Sequence, residues 1–179
     1  MIDTDWYFPE SYRERLVTAY NERDGKIVAR ADVWSGRENP FQENTRFCQA
    51  GTGLYGTIED YARFCQMILN GGAFNGKRVL GRRTIEMMSI DQLPHPNNGG
   101  PDFHFGLGFE IYPEKETERK GISNFTQMVS PGSLQWGGMY NTDYLIDPKE
   151  GLIILLYTNR IPDTKVWEKF LNTVYQALQ

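Results

Sequence analysis

The sequence predicts an α+β fold, an antiparallel sheet with flanking helices, on three observations. Leu152 to Leu156 is apolar throughout and has strand length, and Tyr140 to Ile146 precedes it across the short turn Asp147-Pro148-Lys149-Glu150-Gly151. Two stretches, 57–70 and 163–178, place apolar residues at helical spacing. Strand-like segments gather in the last third, with helical patterns before and after them. At 179 residues the chain has the length of one domain and can bury roughly 70% of its unfolded surface around a core.

The elements follow in chain order. Pro9 to Tyr20 can form a short helix, since proline suits a first turn and Tyr12, Leu16 and Ala19 lie along one side. Asp24-Gly25 turns the chain into a weak strand, Ile27 to Ala31, and an irregular polar segment runs on to Gln49. The clearest helix is Thr57 to Asn70. Ile58, Tyr61, Ala62, Cys65, Ile68 and Leu69 share one face, and Thr57-Ile58-Glu59-Asp60 reads as a capping box with Asp in place of Glu. Gly71-Gly72 ends it.

A turn at Phe74-Asn75-Gly76 leads to a second helix, Arg82 to Gln92, which stops before Pro94, and Pro94 to Asp102 is a loop. Phe105 to Tyr112 reads as a strand containing Gly106 and Gly108, with Phe125 to Val129 a shorter candidate. The wholly apolar run from Leu152 calls for cover on both sheet faces. One cover is the final helix, Asp163 to Leu178, striped by Val166, Trp167, Phe170, Leu171, Val174, Tyr175 and Leu178.

Composition excludes several functions. The 18 glycines and 9 prolines are too few for a low-complexity chain. No run approaches the roughly 18 apolar residues of a membrane helix, and no signal peptide is expected from the opening residues. A net charge of -4 with scattered Lys and Arg leaves no footprint for nucleic acid. Cys48 and Cys65 have neither disulfide-framework nor zinc spacing, and Cys65 reads as a small buried hydrophobe.

None of the serines (Ser11, Ser35, Ser89, Ser123, Ser130, Ser133) begins S-x-x-K or lies in G-x-S-x-G. His95, Asp102 and His104 flank the Gly/Pro loop, but their spacing fits no metal-site pattern, so solvated loop histidines are the expectation and no metal is assigned.

One combination says more than any single motif. Gly51-Thr52-Gly53-Leu54-Tyr55-Gly56-Thr57 leads into Glu59-Asp60-Tyr61-Ala62-Arg63-Phe64, then Met67-Ile68-Leu69-Asn70-Gly71-Gly72. Phe105-Gly106-Leu107-Gly108-Phe109, Trp136-Gly137-Gly138 and Ile146-Asp147-Pro148 follow in that order. The set resembles the C-terminal half of the serine beta-lactamase and penicillin-binding-protein-like hydrolases, in the class C and esterase branch, over nearly the whole chain. The resemblance implies a beta-lactamase/transpeptidase-like fold, with residues 1–179 forming a single partial domain whose S-x-x-K and Y-x-N parts precede it. Met1 to Trp6 is similar to a mid-domain segment of that family.

The implied chemistry is acylation of a serine by esters or amides, a beta-lactam or D-Ala peptide among them, with no cofactor. Trp136-Gly137-Gly138 stands where the family carries K-T-G, so Trp136, Gly137, Gly138 and Tyr140 are the expected substrate-binding residues. The backbone N–H of Met139 is the expected oxyanion donor. Trp136 in place of the family's cation favours neutral esters or amides over penicillin-like substrates. Side chains at Gly137 and Gly138 would block a substrate lying along the strand edge. Tyr157-Thr158-Asn159 satisfies Y-x-N formally but follows the third motif, so it reads as a chance match, and Gly51 and Gly53 read as turn glycines.

Without its own nucleophile the chain alone is expected to be inactive. A noncatalytic module binding peptide or cell-wall fragments is the alternative. The partners expected are a small-molecule or peptide substrate, and either the missing N-terminal half or a second copy covering the sheet edge. Members of the family usually act in the periplasm or outside the cell.

Overall fold

Asp24 and Gly25, both at positive φ (51° and 72°), supply the two-residue turn that joins β1 (Tyr20–Arg23) to β2 (Lys26–Ala29), with Arg23 opposite Lys26. The computed structural model describes residues 1–29, 41, 53–94, 103–114, 128–161 and 165–178. Ser35, Cys48, Gly51, Thr52, His95, Asp102 and Ser123 lie outside these. The helix expected over Pro9 to Tyr20 is instead one six-residue 3-10 segment, Glu10–Arg15, with no buried residue. Leu16 and Val17 stay exposed, so no packing supports a helix too short to stand by itself. Tyr20 opens β1, which pairs on its other side, in parallel, with β9 (Arg160–Ile161).

Helix α1 (Ile58–Leu69) forms where the apolar periodicity places it. Thr57 caps it by accepting from the Asp60 N–H at 3.2 Å, and Gly71 and Gly72 end it in a Schellman pattern. The Gly72 N–H donates to the Met67 carbonyl, and that of Gly71 to Ile68.

Only half of the expected capping box exists. The Asp60 carboxylate, fully buried, turns away from Thr57 and accepts from the Asp3 N–H at 2.7 Å, from the Thr4 hydroxyl at 2.9 Å and from Arg63. It clamps the N-terminal segment to α1, and Asp5 pairs with Tyr55 beside it.

Burial pushes the Asp60 carboxyl up, but the Asp3 and Thr4 donors and Arg63 outweigh it and hold it below the ordinary carboxylate value. A lowered folded pKa adds stability above the unfolded value, and that stability is lost as pH falls through the folded one. Asp60→Asn is therefore expected to flatten the decline in stability as pH falls below about 4. Urea midpoints across that range check this, and a decline as steep as the parent's would refute it.

Asn75-Gly76, again at positive φ, turns β3 (Ala73–Phe74) into β4 (Lys77–Arg78). Helix α2 spans Arg82–Met88, shorter than the expected Arg82 to Gln92. After it the Ser89 hydroxyl bonds back to the Ile85 carbonyl, and the chain pairs with the 105–107 segment instead. Leu107 donates to the Met88 carbonyl and Gln92 to that of Phe105.

The strand expected over Phe105 to Tyr112 is a turn followed by the two-residue β5 (Glu110–Ile111). Gly106 donates to Phe109, and Gly108 sits at φ +96°. A Cβ on Gly106 would collide with the Met88 carbonyl, so the residue marks a close approach and not a strand interior. Of the shorter strand candidate, Phe125 to Val129, the described end is a turn with Val129 buried.

β6 (Leu134–Gly138), β7 (Thr142–Asp147) and β8 (Leu152–Tyr157) complete an antiparallel sheet in the order β5-β6-β7-β8. Side chains alternate across it. Leu134, Tyr144, Ile146, Ile153 and Leu155 pack toward α1. Leu145, Leu152 and Ile154 pack toward Leu171 and Tyr175 of α3 (Val166–Gln176). The apolar β8 is thus covered on both faces, as the sequence requires. Among the described residues no helix is long and apolar enough to cross a membrane.

Candidate functional site

The expected site residues are contiguous, and the structure brings them to one corner of the sheet. β6 ends in Trp136, Gly137 and Gly138, all exposed. Met139, Tyr140 and Asn141 then form the turn into β7, where Gly138 faces Thr142. Asn141 donates to the Gly138 carbonyl at 2.9 Å and stands at φ 54°, the three-residue hairpin geometry. The Tyr140 carbonyl accepts from the Arg160 N–H at 3.2 Å, so this turn is tied to the start of β9. Tyr157, the first residue of the formal Y-x-N match, ends β8 and packs on Tyr61 with ring centroids 6.4 Å apart.

Main-chain groups in an antiparallel strand point alternately to its two neighbours. The Ser133 carbonyl accepts from Tyr112, toward β5, and the Gly138 carbonyl accepts from Asn141, toward β7. The N–H and C=O of Gly137 therefore point to the β5 side. There β5 stops at Glu110, opposite Gln135, so the Trp136–Gly138 end, paired with β7 on its other side, has no partner strand on the β5 side among the described residues. Met139, next in this alternation, is 58% exposed.

The glycines also have a local reason. A Cβ on Gly137 would overlap the Asp143 carboxylate, and one on Gly138 the Thr142 hydroxyl. The cross-strand neighbours lean into the space those side chains would fill.

The two faces of this corner differ. On the α1 face Trp136, 45% exposed, meets Phe105 edge-on at 4.8 Å, and Phe103 stacks on Phe105 at 5.7 Å. Asp91 holds this segment in place: it accepts from the Phe105 N–H at 3.1 Å, and His104 Nδ1 lies 2.6 Å from its other oxygen. His104 is thus paired with Asp91; among the described residues no three His, Cys, Asp or Glu side chains converge as metal ligands would.

On the α3 face a cavity of about 250 Å³ is lined by Glu110, Gln135, Trp136, Gly137, Asp143 and Trp167. Burial raises the Glu110 carboxyl above its ordinary value against the Gln135 amide, which donates to it at 3.0 Å. Of the expected site residues, Trp136 and Gly137 line this cavity, while Gly138, Met139 and Tyr140 are not among its lining residues.

The sequence profile of the family described as Beta-lactamase matches residues 1–169. The chain belongs to the beta-lactamase family. Two curated relatives from Mycobacterium tuberculosis, "Uncharacterized protein MT1414" of strain CDC 1551 / Oshkosh and "Protein Rv1367c" of strain H37Rv, are each 32% identical to it over 171 residues, 93% of this chain. The chain spans 41% of the length of each relative.

Among solved structures it is similar to "EstCE1, a hydrolase with promiscuous acyltransferase activity" (TM-score 0.73, 19% identity, 97% of this chain and 46% of that one). It is also similar to unliganded simvastatin synthase (LovD) from Aspergillus terreus (0.73, 22%, 99% and 47%), and to a penicillin-binding protein homolog from Caulobacter crescentus (0.55, 16%, 88% and 43%). At these identities the likeness is one of fold. The beta-lactamase/transpeptidase-like fold, matched over less than half of each neighbour's length, is as the motif order implied for a C-terminal portion.

Four residues of the corner are absent from the expected site: Phe103, Phe105, Asp143 and Trp167. Asp143 had a usable signal, since a three-residue turn after Gly138 sets it opposite Gly137. The two phenylalanines had none, because reading Phe105 to Tyr112 as a strand concealed the turn that carries Phe105 onto Trp136. Of the described serines, Ser89 bonds to the preceding helical turn, Ser130 and Ser133 are buried, and Ser11 is exposed on the 3-10 segment.

Proposed function

We propose that this chain is the C-terminal lobe of a serine hydrolase that acts through an acyl-enzyme on neutral esters or amides, and that residues 1–179 are one partial domain of it. The observation that carries the reading is the exposed end of β6, whose Gly137 main chain faces an edge that β5 leaves open. A substrate laid along that edge as a further strand would present its carbonyl to the Met139 N–H. Trp136, Gly137, Gly138 and Tyr140 border it. The attacking serine and its lysine would come from a segment outside these residues, so the chain alone is inactive. That segment, or a second copy, would cover the open edge.

Two chromogenic substrates test this, an ester and a cephalosporin, each offered to the 179-residue chain and to the reading frame extended upstream. Turnover of the ester alone, and only by the extended protein, is expected. An extended frame with no S-x-x-K within about two hundred codons, or turnover of neither substrate, would overturn the reading. The absence of S-x-x-K from the chain favours a second reading, a noncatalytic module that binds peptide or cell-wall fragments. Reversible binding of such a fragment by the isolated chain, with no turnover by the extended one, would select it.

A further inference from the structure

We infer that Phe103, Phe105 and Trp136 form an aromatic platform selecting esters with an aryl or bulky apolar group beside the carbonyl and rejecting those with a carboxylate there. The inference rests on the reading above and names its substrate class.

The three rings are mutually in contact, with centroids at 4.8, 5.7 and 6.5 Å, yet Trp136 remains 45% exposed. Edge-to-face and stacked contacts of this kind hold rings in one arrangement. Main-chain bonds fix it further, because Phe105 donates to Asp91 and accepts from Gln92. The exposed indole face is thus preorganised, and a ligand covering it loses little ordering entropy to the protein.

Position ties the platform to the open edge. Trp136 immediately precedes Gly137, whose main chain faces that edge, and Met139 stands two residues on. Trp136 and Met139 are three residues apart, roughly 10 Å along an extended strand, so a carbonyl held at the Met139 N–H meets the indole only through a substituent about as long as an aryl ester group. Chemistry then decides what the substituent is. The cation-π pairs among the described residues are Arg13 with Phe41 and Arg15 with Tyr12, neither in the trio. An apolar group gains by leaving water there, whereas a carboxylate meets the electron-rich ring faces and pays desolvation.

Three esters separate the outcomes in an NMR titration of the 179-residue chain: phenyl acetate, methyl acetate and para-acetoxybenzoate. The signals followed are the Trp136 indole N–H, assigned with Trp136→Phe, and the Met139 amide. Phenyl acetate is expected to shift both saturably, with the other two binding about 10-fold more weakly. Phe105→Ala is expected to weaken phenyl acetate about 10-fold, and Phe105→Leu, which keeps an apolar side chain without the ring, about 3-fold. Movement of the Met139 amide with a still indole, or equal affinity for all three esters, overturns the platform and leaves the hydrolase reading standing. Movement of neither signal overturns the platform, and the hydrolase reading then stands or falls with ester turnover by the extended protein.

Discussion

Met139→Pro is expected to lower turnover of a neutral ester about 100 to 1000-fold while leaving the β6–β7 hairpin folded. Proline lacks the N–H assigned to the developing oxyanion, and one such donor typically contributes that factor in rate. The substitution is mild for the fold because of where Met139 stands. The Asn141 N–H bonds to the Gly138 carbonyl, so Met139 is the second residue of a four-residue turn, where proline's fixed φ is favoured. Gly138 before it is in a strand, the conformation a residue preceding proline prefers.

The measurement is steady-state kinetics on the extended, serine-bearing protein. A donor used mainly in the transition state lowers kcat more than it raises KM. Met139→Ala, which keeps the N–H, should stay within about 3-fold of the parent. A proline variant with the parent's kcat, or an alanine variant as impaired as the proline one, would remove Met139 from the oxyanion role.

What could be read from the residues, and what could not, divides along the range of the interactions. Helix α1, strands β7 and β8 and the stripe of α3 were legible because burial writes a period into neighbouring residues, and Trp136-Gly137-Gly138 because it is a contiguous string. β1 was not. Tyr20-Asn21-Glu22-Arg23 carries no alternation, and its strand state comes from β2 and β9, the latter some 140 residues on. Asp60 and Asp147 likewise look like ordinary acidic residues near a helix start and in a turn. Their burial follows from Asp3 and Thr4 in one case and from Tyr175 in the other, contacts 57, 56 and 28 residues apart. At the corner, motif order located the strand end, but the rings that face Trp136 depended on a reversal at Gly106 that a strand reading suppressed.

Asp147→Ala should destabilise the fold by about 3–5 kcal/mol, the largest stability effect expected here. Asp147 closes β7 and is fully buried. One oxygen accepts from the Lys149 and Glu150 N–H groups at 3.0 and 3.1 Å, which shapes the turn into β8. The other accepts from the Tyr175 hydroxyl at 2.6 Å and the Ser130 N–H at 3.4 Å. It joins sheet, turn and terminal helix in one network, and truncation strands the buried Tyr175 hydroxyl and Ser130 N–H away from water.

For a chain of this length the loss corresponds to roughly 6–20 °C in Tm. Tyr175→Phe removes one donor only and should cost about 1–2 kcal/mol, and in the double variant the two losses should not add, since they share a bond. Burial pushes the Asp147 carboxyl up, but its four donors outweigh that and hold it below the ordinary carboxylate value. The part of its contribution that depends on ionisation is therefore complete at neutral pH and fades as pH falls through the lowered pKa, so the gap between parent and Asp147→Ala should narrow below about pH 4. Additive losses at pH 7, or a difference between parent and variant that does not shrink in acid, would mean that the carboxylate does not hold α3 to the sheet through Tyr175.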